Sequence, residues 1–269
     1  MKKVALHSVP RSGSSWLGEI INSSEAVNYS YQPLFSFKFK SVISEQSSLS
    51  EINDFYEKIC LSDDNFLTQE EARTNGIKPC FEKKGISHIV YKEVRYHYII
   101  ENLLNKDPNQ KVIGLVRNPL SVLNSWKSAP REFRTDLNWE FEKEWDKAQL
   151  KNLGRKEEYF GYQKWKEVAL LFQSLQDRYR DGFLLVKYSD LLNDTQSEVE
   201  KIFKFLELEL SQQTLSFINR SASIQIDDTY SVFKTKSIVD DNWKNSIPNY
   251  VVESVTKDCN SNGLSEFLS

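Results

Sequence analysis

The residues best suited to chemistry come first in the chain. Val4 to Val9 form an apolar run that enters Pro10-Arg11-Ser12-Gly13-Ser14-Ser15, after which Trp16, Leu17, Ile20 and Ile21 recur at helical spacing. A strand, a turn and a helix N-terminus in this order make an anion site. Gly13 tolerates positive φ and lets the backbone approach a ligand. The first N–H groups of the helix have no partner inside it, and the helix dipole favours negative charge there. Arg11 adds a fork of donors whose charge does not titrate away. The turn suits a phosphate-like group.

What the turn lacks narrows the ligand. A Walker A loop needs G-x-x-x-x-G-K-[ST], with Lys on the β- and γ-phosphates and Ser or Thr on magnesium. Here Gly13 is followed by Ser14, and the turn has no Lys. The later strand VIGLVRNP runs into Arg117 and Asn118 rather than into a metal-supporting Asp. A cation there suits a second phosphate, and no metal is expected.

Pro10-Arg11-Ser12-Gly13-Ser14-Ser15-Trp16 and the later LVRNPLSVLNSW resemble the first two motifs of the sulfotransferases that use 3′-phosphoadenosine 5′-phosphosulfate (PAPS). In the second, Arg117 is followed eight residues on by Ser125, the family's spacing for the pair that serves the 3′-phosphate. A helix begun at Pro119 would return Ser125 to the same mouth. KYSDLLND resembles the family's Tyr-x-Asp segment near the adenine, and KTKSIVDDNWKN its late basic loop. The resemblance therefore implies PAPS as donor, bound by Arg11, Ser12, Gly13, Ser14, Ser15, Trp16, Arg117, Ser125, Tyr188 and Lys236, with Trp243 and Lys244 nearby. Taken singly, each motif has a plainer explanation: a capped helix, a solvated Arg, a core Tyr, a solvated loop. Their order from residue 10 to 245 carries the resemblance.

Sulfuryl transfer needs a held donor, positive charge where negative charge grows, and a group that takes the acceptor's proton. The resemblance puts Arg11 on the leaving group and Lys92 near the transferring group. The base stays open. Glycan-type members use a Glu, often before Pro, where this chain has Gln32 before Pro33, and a neutral amide cannot take the proton as a carboxylate does. The cytosolic branch uses a His shortly after a strand Lys, which leaves His97 and Glu93 as candidates here. A third reading has Gln32 only positioning the acceptor.

These residues need elements to position them. HIVYKEV (88 to 94), KVIGLVR (111 to 117) and GFLLVKY (182 to 188) read as short strands, each followed by a helical pattern. Right-handed β–α–β crossovers follow, giving an α/β, P-loop-type three-layer fold: a central parallel sheet flanked by helices. Thr195 to Glu198 offers a capping box for a helix that buries Val199, Ile202, Phe203 and Leu206. One domain over residues 1 to 269 is expected, with acceptor-side insertions at about 28 to 87 and 127 to 165. The segment from Trp139 to Arg180 reads as two surface helices. Phe35, Phe37 and Phe39 alternate with polar residues as in a half-buried strand.

Composition sets limits. With 269 residues, 39% hydrophobic and 13% aromatic, the chain can bury a large core. A net charge of −3 gives no footprint for nucleic acid. Cys60, Cys80 and Cys259 are few, odd in number and widely spaced, which suits a reducing compartment. No signal h-region or membrane span is legible, so a cytoplasmic setting is expected. The acceptor is expected to be a small molecule or a glycan, with a carbohydrate hydroxyl preferred because the motif wording is closer to the glycan branch. Two other functions remain open: a non-catalytic protein that binds PAPS or its product, and a P-loop small-molecule kinase, which would need magnesium ligands.

Overall fold

The computed structural model describes residues 1–223 and 240–268. Five strands, β1 (Lys2–His7), β2 (Val27–Tyr31), β3 (His88–Glu93), β4 (Lys111–Val116) and β5 (Phe183–Lys187), form one sheet in the order β2-β3-β1-β4-β5. Every neighbouring pair is parallel. The principal helices, in chain order, are α1 (Ser14–Asn22), α2 (Leu49–Cys60), α3 (Ile100–Lys106), α4 (Pro119–Lys127), α5 (Tyr162–Arg178), α6 (Tyr188–Asn193), α7 (Thr195–Leu206), α8 (Gln212–Ser223) and α9 (Asn249–Ser261). Among the described residues no helix is long and apolar enough to cross a membrane.

Successive side chains on a strand face opposite sides, so each strand feeds two cores. Ala5, Tyr91, Val112 and Val116 join one, where they pack with Tyr56 of α2 and Phe172 of α5. Val4, Leu6, Val90, Ile113 and Leu115 join the other, with Leu17 and Ile20 of α1 and Phe203 of α7. This is the expected three-layer α/β arrangement. From β1 the chain crosses to the edge strand β2, returns to place β3 between them, and then crosses to the other side of β1 for β4 and β5. The loop after β1 therefore opens into a switch point at the C-terminal edge of the sheet, where ligands of such folds bind. Register fixes what meets there: His7 lies opposite Glu93, Tyr31 opposite Lys92, and Val116 opposite Lys187.

Several local expectations are corrected. VNYSY, counted within the first insertion, is the edge strand β2. Phe35 to Phe39 is not a strand: Pro33–Phe35 is a 3₁₀ turn, Phe37 is fully exposed, and Phe39 packs edge-on against Phe55. The segment after Trp139 holds two one-turn helices, Phe141–Glu144 and Gln149–Asn152, and then the long α5. α5 is no surface helix, because Tyr162, Trp165, Val168, Ala169, Phe172 and Leu175 line one buried face beneath its charged one. Thr195 is the first residue of α7 rather than its cap. Asp194 caps instead, its carboxylate accepting from the N–H of Ser197 at 3.1 Å.

Candidate functional site

The turn after β1 is shaped by two residues in the left-handed region, Gly13 (φ 86°) and Arg11 (φ 70°). Gly13 must stay side-chain-free for a second reason: an added Cβ would collide with the ring of Tyr188, whose Cδ2 would lie 2.8 Å away. Tyr188 is thus a floor under the turn, and Trp16 of α1 meets it edge-to-face with ring centroids 6.2 Å apart. Ser12 is fully buried, and its hydroxyl has no hydrogen-bond partner. A buried hydroxyl beside a helix N-terminus can hydrogen-bond a ligand oxygen.

Among the described residues, three cations converge on this turn. Arg117, just past β4, donates from Nη1 to the carbonyl of Arg11 at 2.9 Å and from Nε to Asp240 Oδ2 at 2.8 Å; its Nη2 also donates to Asp240. Its guanidinium carbon lies 4.9 Å from the centroid of the Tyr188 ring. Burial works against its charge, but the Asp240 carboxylate prevails and its pKa moves up. Arg11 donates from Nε to Ser125 Oγ at 3.1 Å, and Glu132 Oε2 lies 3.7 Å from the same nitrogen. Ser125 is brought there by α4, which starts on Pro119 with Asn118 as cap. Lys92 reaches Ser15 Oγ at 3.4 Å and stands 4.6 Å from the centroid of the Tyr31 ring. Burial pushes its pKa down.

The profile described as "Sulfotransferase domain" matches residues 1–262. The chain belongs to that family. A mouse sulfotransferase, SULT7A1, solved in complex with PAP, superposes with a TM-score of 0.57 at 17% identity, covering 99% of this chain and 88% of the other. A sulfotransferase from Alicyclobacillus acidocaldarius gives a TM-score of 0.54 at 14% identity over 100% of this chain and 96% of the other. The sulfotransferase domain of the curacin biosynthetic pathway gives 0.54 at 17% identity over 96% of each chain. At these identities the likeness is one of fold. No curated protein matches the sequence.

Within the sulfotransferase domain, Arg11, Ser12, Gly13, Ser14, Ser15, Trp16, Lys92, Arg117, Ser125 and Tyr188 come together at one end of the sheet. His97 does not join them. It is fully buried, its Nδ1 3.1 Å from Nδ1 of His7 and its ring packed on Tyr159 and Phe172. Burial holds its pKa well below the usual imidazole value, so it is a neutral core residue. Glu93 is adjacent to the site but closed off: it is 0% exposed, Oε1 accepts from the N–H of Val94 at 3.0 Å and Oε2 from that of Leu34 at 3.2 Å. Burial raises its pKa. The N–H of Gln32 donates to the carbonyl of Lys92 at 2.8 Å, which ties the Gln32-Pro33 turn to the same spot. Lys236 lies outside the described residues. Trp243 packs against the core and Lys244 pairs with Asp241 at 3.2 Å.

Sequence reasoning missed Asp240 and Glu132, the two carboxylates set against Arg117 and Arg11. Glu132 belongs to no periodic pattern or motif, and Asp240, though inside KTKSIVDDNWKN, is not one of the residues singled out there. It also missed Lys78, 4.4 Å from the Tyr31 ring centroid on a ring that Lys92 shares. A cavity of about 290 Å³ lies elsewhere, along β2, lined by Asn28, Ser30, Cys60, Arg73 and Lys83, and it shares no residue with the turn.

Proposed function

We propose that the chain moves a sulfuryl group from PAPS to a carbohydrate hydroxyl. The observation that carries this reading is the convergence of Arg11, Lys92 and Arg117 on a glycine turn at a helix N-terminus, with Ser12 Oγ buried and unpartnered in it. The donor's 5′-phosphosulfate fits over α1, where the N–H groups of the first turn and the dipole favour its charge. Its 3′-phosphate falls to Arg117 and Ser125, which the family motif pairs. Arg11 then faces the bond that breaks, and its fixed charge offsets what grows on the leaving phosphate.

The acceptor mouth is aromatic. The rings of Tyr31 and Phe66 meet with centroids 5.7 Å apart and those of Phe35 and Phe66 at 5.8 Å, while the guanidinium carbon of Arg95 lies 3.9 Å from the Phe35 centroid. Apolar ring faces beside hydrogen-bonding cations suit the two-sided surface of a sugar ring. Cys60, Cys80 and Cys259 are all free thiols, in keeping with a cytoplasmic site of action.

Calorimetry without magnesium tests the donor assignment directly. 3′-Phosphoadenosine 5′-phosphate (PAP) should bind far more tightly than ADP or ATP, and Arg117→Ala should abolish the preference. Equal binding of ADP, or a requirement for magnesium, would hand the site to a kinase-type reaction. Turnover is then sought with PAPS across a panel of sugars, phenols and amines, and PAP binding with no transfer to any of them would favour a purely binding role.

A further inference from the structure

We infer that Glu132 is the group that takes the acceptor's proton; the inference rests on the PAPS reading above. Neither of the two candidate bases from the sequence is open to the turn. His97 is sealed in the core, and both oxygens of Glu93 are bound by backbone N–H groups. Gln32 has no carboxylate to offer. Glu132 differs: its Oε2 is buried, has no hydrogen-bond partner, and lies 3.7 Å from Nε of Arg11, with the side chain as a whole 25% exposed. A buried carboxylate oxygen left without a donor is costly, and a ligand O–H is the partner it lacks.

The fold fixes Glu132 in that position. Its N–H donates to the carbonyl of Ala129 at 2.8 Å, and its own carbonyl accepts from Nε1 of Trp126 at 3.3 Å. Trp126 is 1% exposed, so the last turn of α4 anchors the segment. The same helix carries Ser125, so α4 and the segment hydrogen-bonded to its last turn set both side chains against Arg11. The Glu132 charge acts on Lys92 on the donor side and on Lys151 on the side of the second insertion. It lies within the second insertion, which is expected to hold the acceptor, and beside the turn.

The step balances without another reactant. As an acceptor oxygen forms its bond to sulfur, its proton passes to Glu132 Oε2, and the bond from sulfur to the bridging oxygen breaks. That electron pair stays on the 5′-phosphate of the product PAP beside Arg11, and the carboxyl then returns its proton to solvent.

Water, the simplest hydroxyl acceptor, serves as the probe: conversion of PAPS to PAP and sulfate is followed by anion-exchange chromatography, with PAP binding measured in parallel. Glu132→Gln should slow PAPS turnover about 100-fold or more, as expected for loss of a general base, while PAP affinity stays within about threefold or tightens. Glu132→Asp, which keeps a carboxylate, should retain more turnover than Glu132→Gln. Should the Gln variant fail to fold, Glu132→Asp carries the test through an expected loss of about tenfold. Turnover within threefold of the unsubstituted protein in either variant overturns the assignment, as does an unsubstituted protein that binds PAP and never turns over PAPS. Failure of the unsubstituted protein to bind PAP is a separate result, which removes the donor reading itself.

Discussion

Removing the Asp240 carboxylate should loosen the protein and tighten its nucleotide. Asp240 holds Arg117 through two donors, with side-chain exposures of 16% and 18%, and Ser121 Oγ donates to its carbonyl at 2.8 Å. A 3′-phosphate at Arg117 needs those donors, so the carboxylate must yield before the phosphate binds. Hydrogen bonds to charged groups are worth about 1.5–3 kcal/mol net. Asp240→Ala spares the ligand that displacement, and PAP should bind roughly 10- to 150-fold more tightly. The free protein meanwhile keeps a largely buried cation with its main partner gone, which costs about 1–3 kcal/mol once partial exposure is allowed for. The measurements are titration calorimetry with PAP and with adenosine 5′-phosphosulfate, which lacks the 3′-phosphate, and urea melts of both proteins. The gain should appear for PAP and not for the second nucleotide. Weaker PAP binding in Asp240→Ala would refute the reasoning, because Asp240 would then be orienting Arg117 rather than competing for it. Equal gains for both nucleotides would also refute it, since a general charge effect would suffice.

Two further outcomes follow from the same geometry. Gly13→Ala forces a side chain into the left-handed region at φ 86° and against the Tyr188 ring; the two penalties together should destabilise by about 2–4 kcal/mol in urea melts, and a loss under 1 kcal/mol would mean the turn relaxes freely. Acid should unfold the protein early because His7 is buried and its pKa is lowered to about 3 by desolvation. The unfolded chain, with an ordinary value near 6.5, binds the proton that the fold refuses, so stability is complete above pH 6.5 and falls as pH drops toward 3. At pH 5 the loss from His7 alone is about 2 kcal/mol, and His97 adds in the same direction. His7→Gln should therefore show a shallower decline between pH 7 and pH 5, and an unchanged decline would show that these imidazoles are not what acid attacks.

The legible parts of this chain are those whose signals are local. The β1–turn–α1 unit is written in consecutive residues, and Asn118-Pro119 announces α4 by cap and first-turn chemistry alone. The edge strand β2 was hidden because Asn28 and Ser30 look like loop residues. In the fold their side chains donate to the carbonyls of Cys60 at 3.3 Å and Ile59 at 3.4 Å, and the strand's polar residues are satisfied by the end of α2. His97 misled for a similar reason. Its partner is His7, 90 positions away, and nothing in the sequence around residue 97 announces that the imidazole turns inward. Asp240 and Glu132 sit in charged stretches that read as solvated, and only the fold sets each beside an arginine of the turn.

The cations of the site are thus not waiting in water. Arg117 rests on Asp240, Arg11 on Ser125 with Glu132 alongside, and Lys92 on Ser15 and the Tyr31 ring. Each is held in place before any anion arrives, which lowers the ordering cost of binding. Each also has something to give up, which lowers the affinity gained. The balance differs among the three. Arg117 exchanges one charged acceptor for another, so its contribution is selectivity for a 3′-phosphate over no phosphate. Lys92 gives up the neutral Ser15 hydroxyl as a hydrogen-bond acceptor, and a new negative charge beside it is a net gain. Electrostatic stabilisation is therefore expected at the end of the site where Lys92 stands, with Arg11 beside it, and that is the end at which a transition state would gather charge.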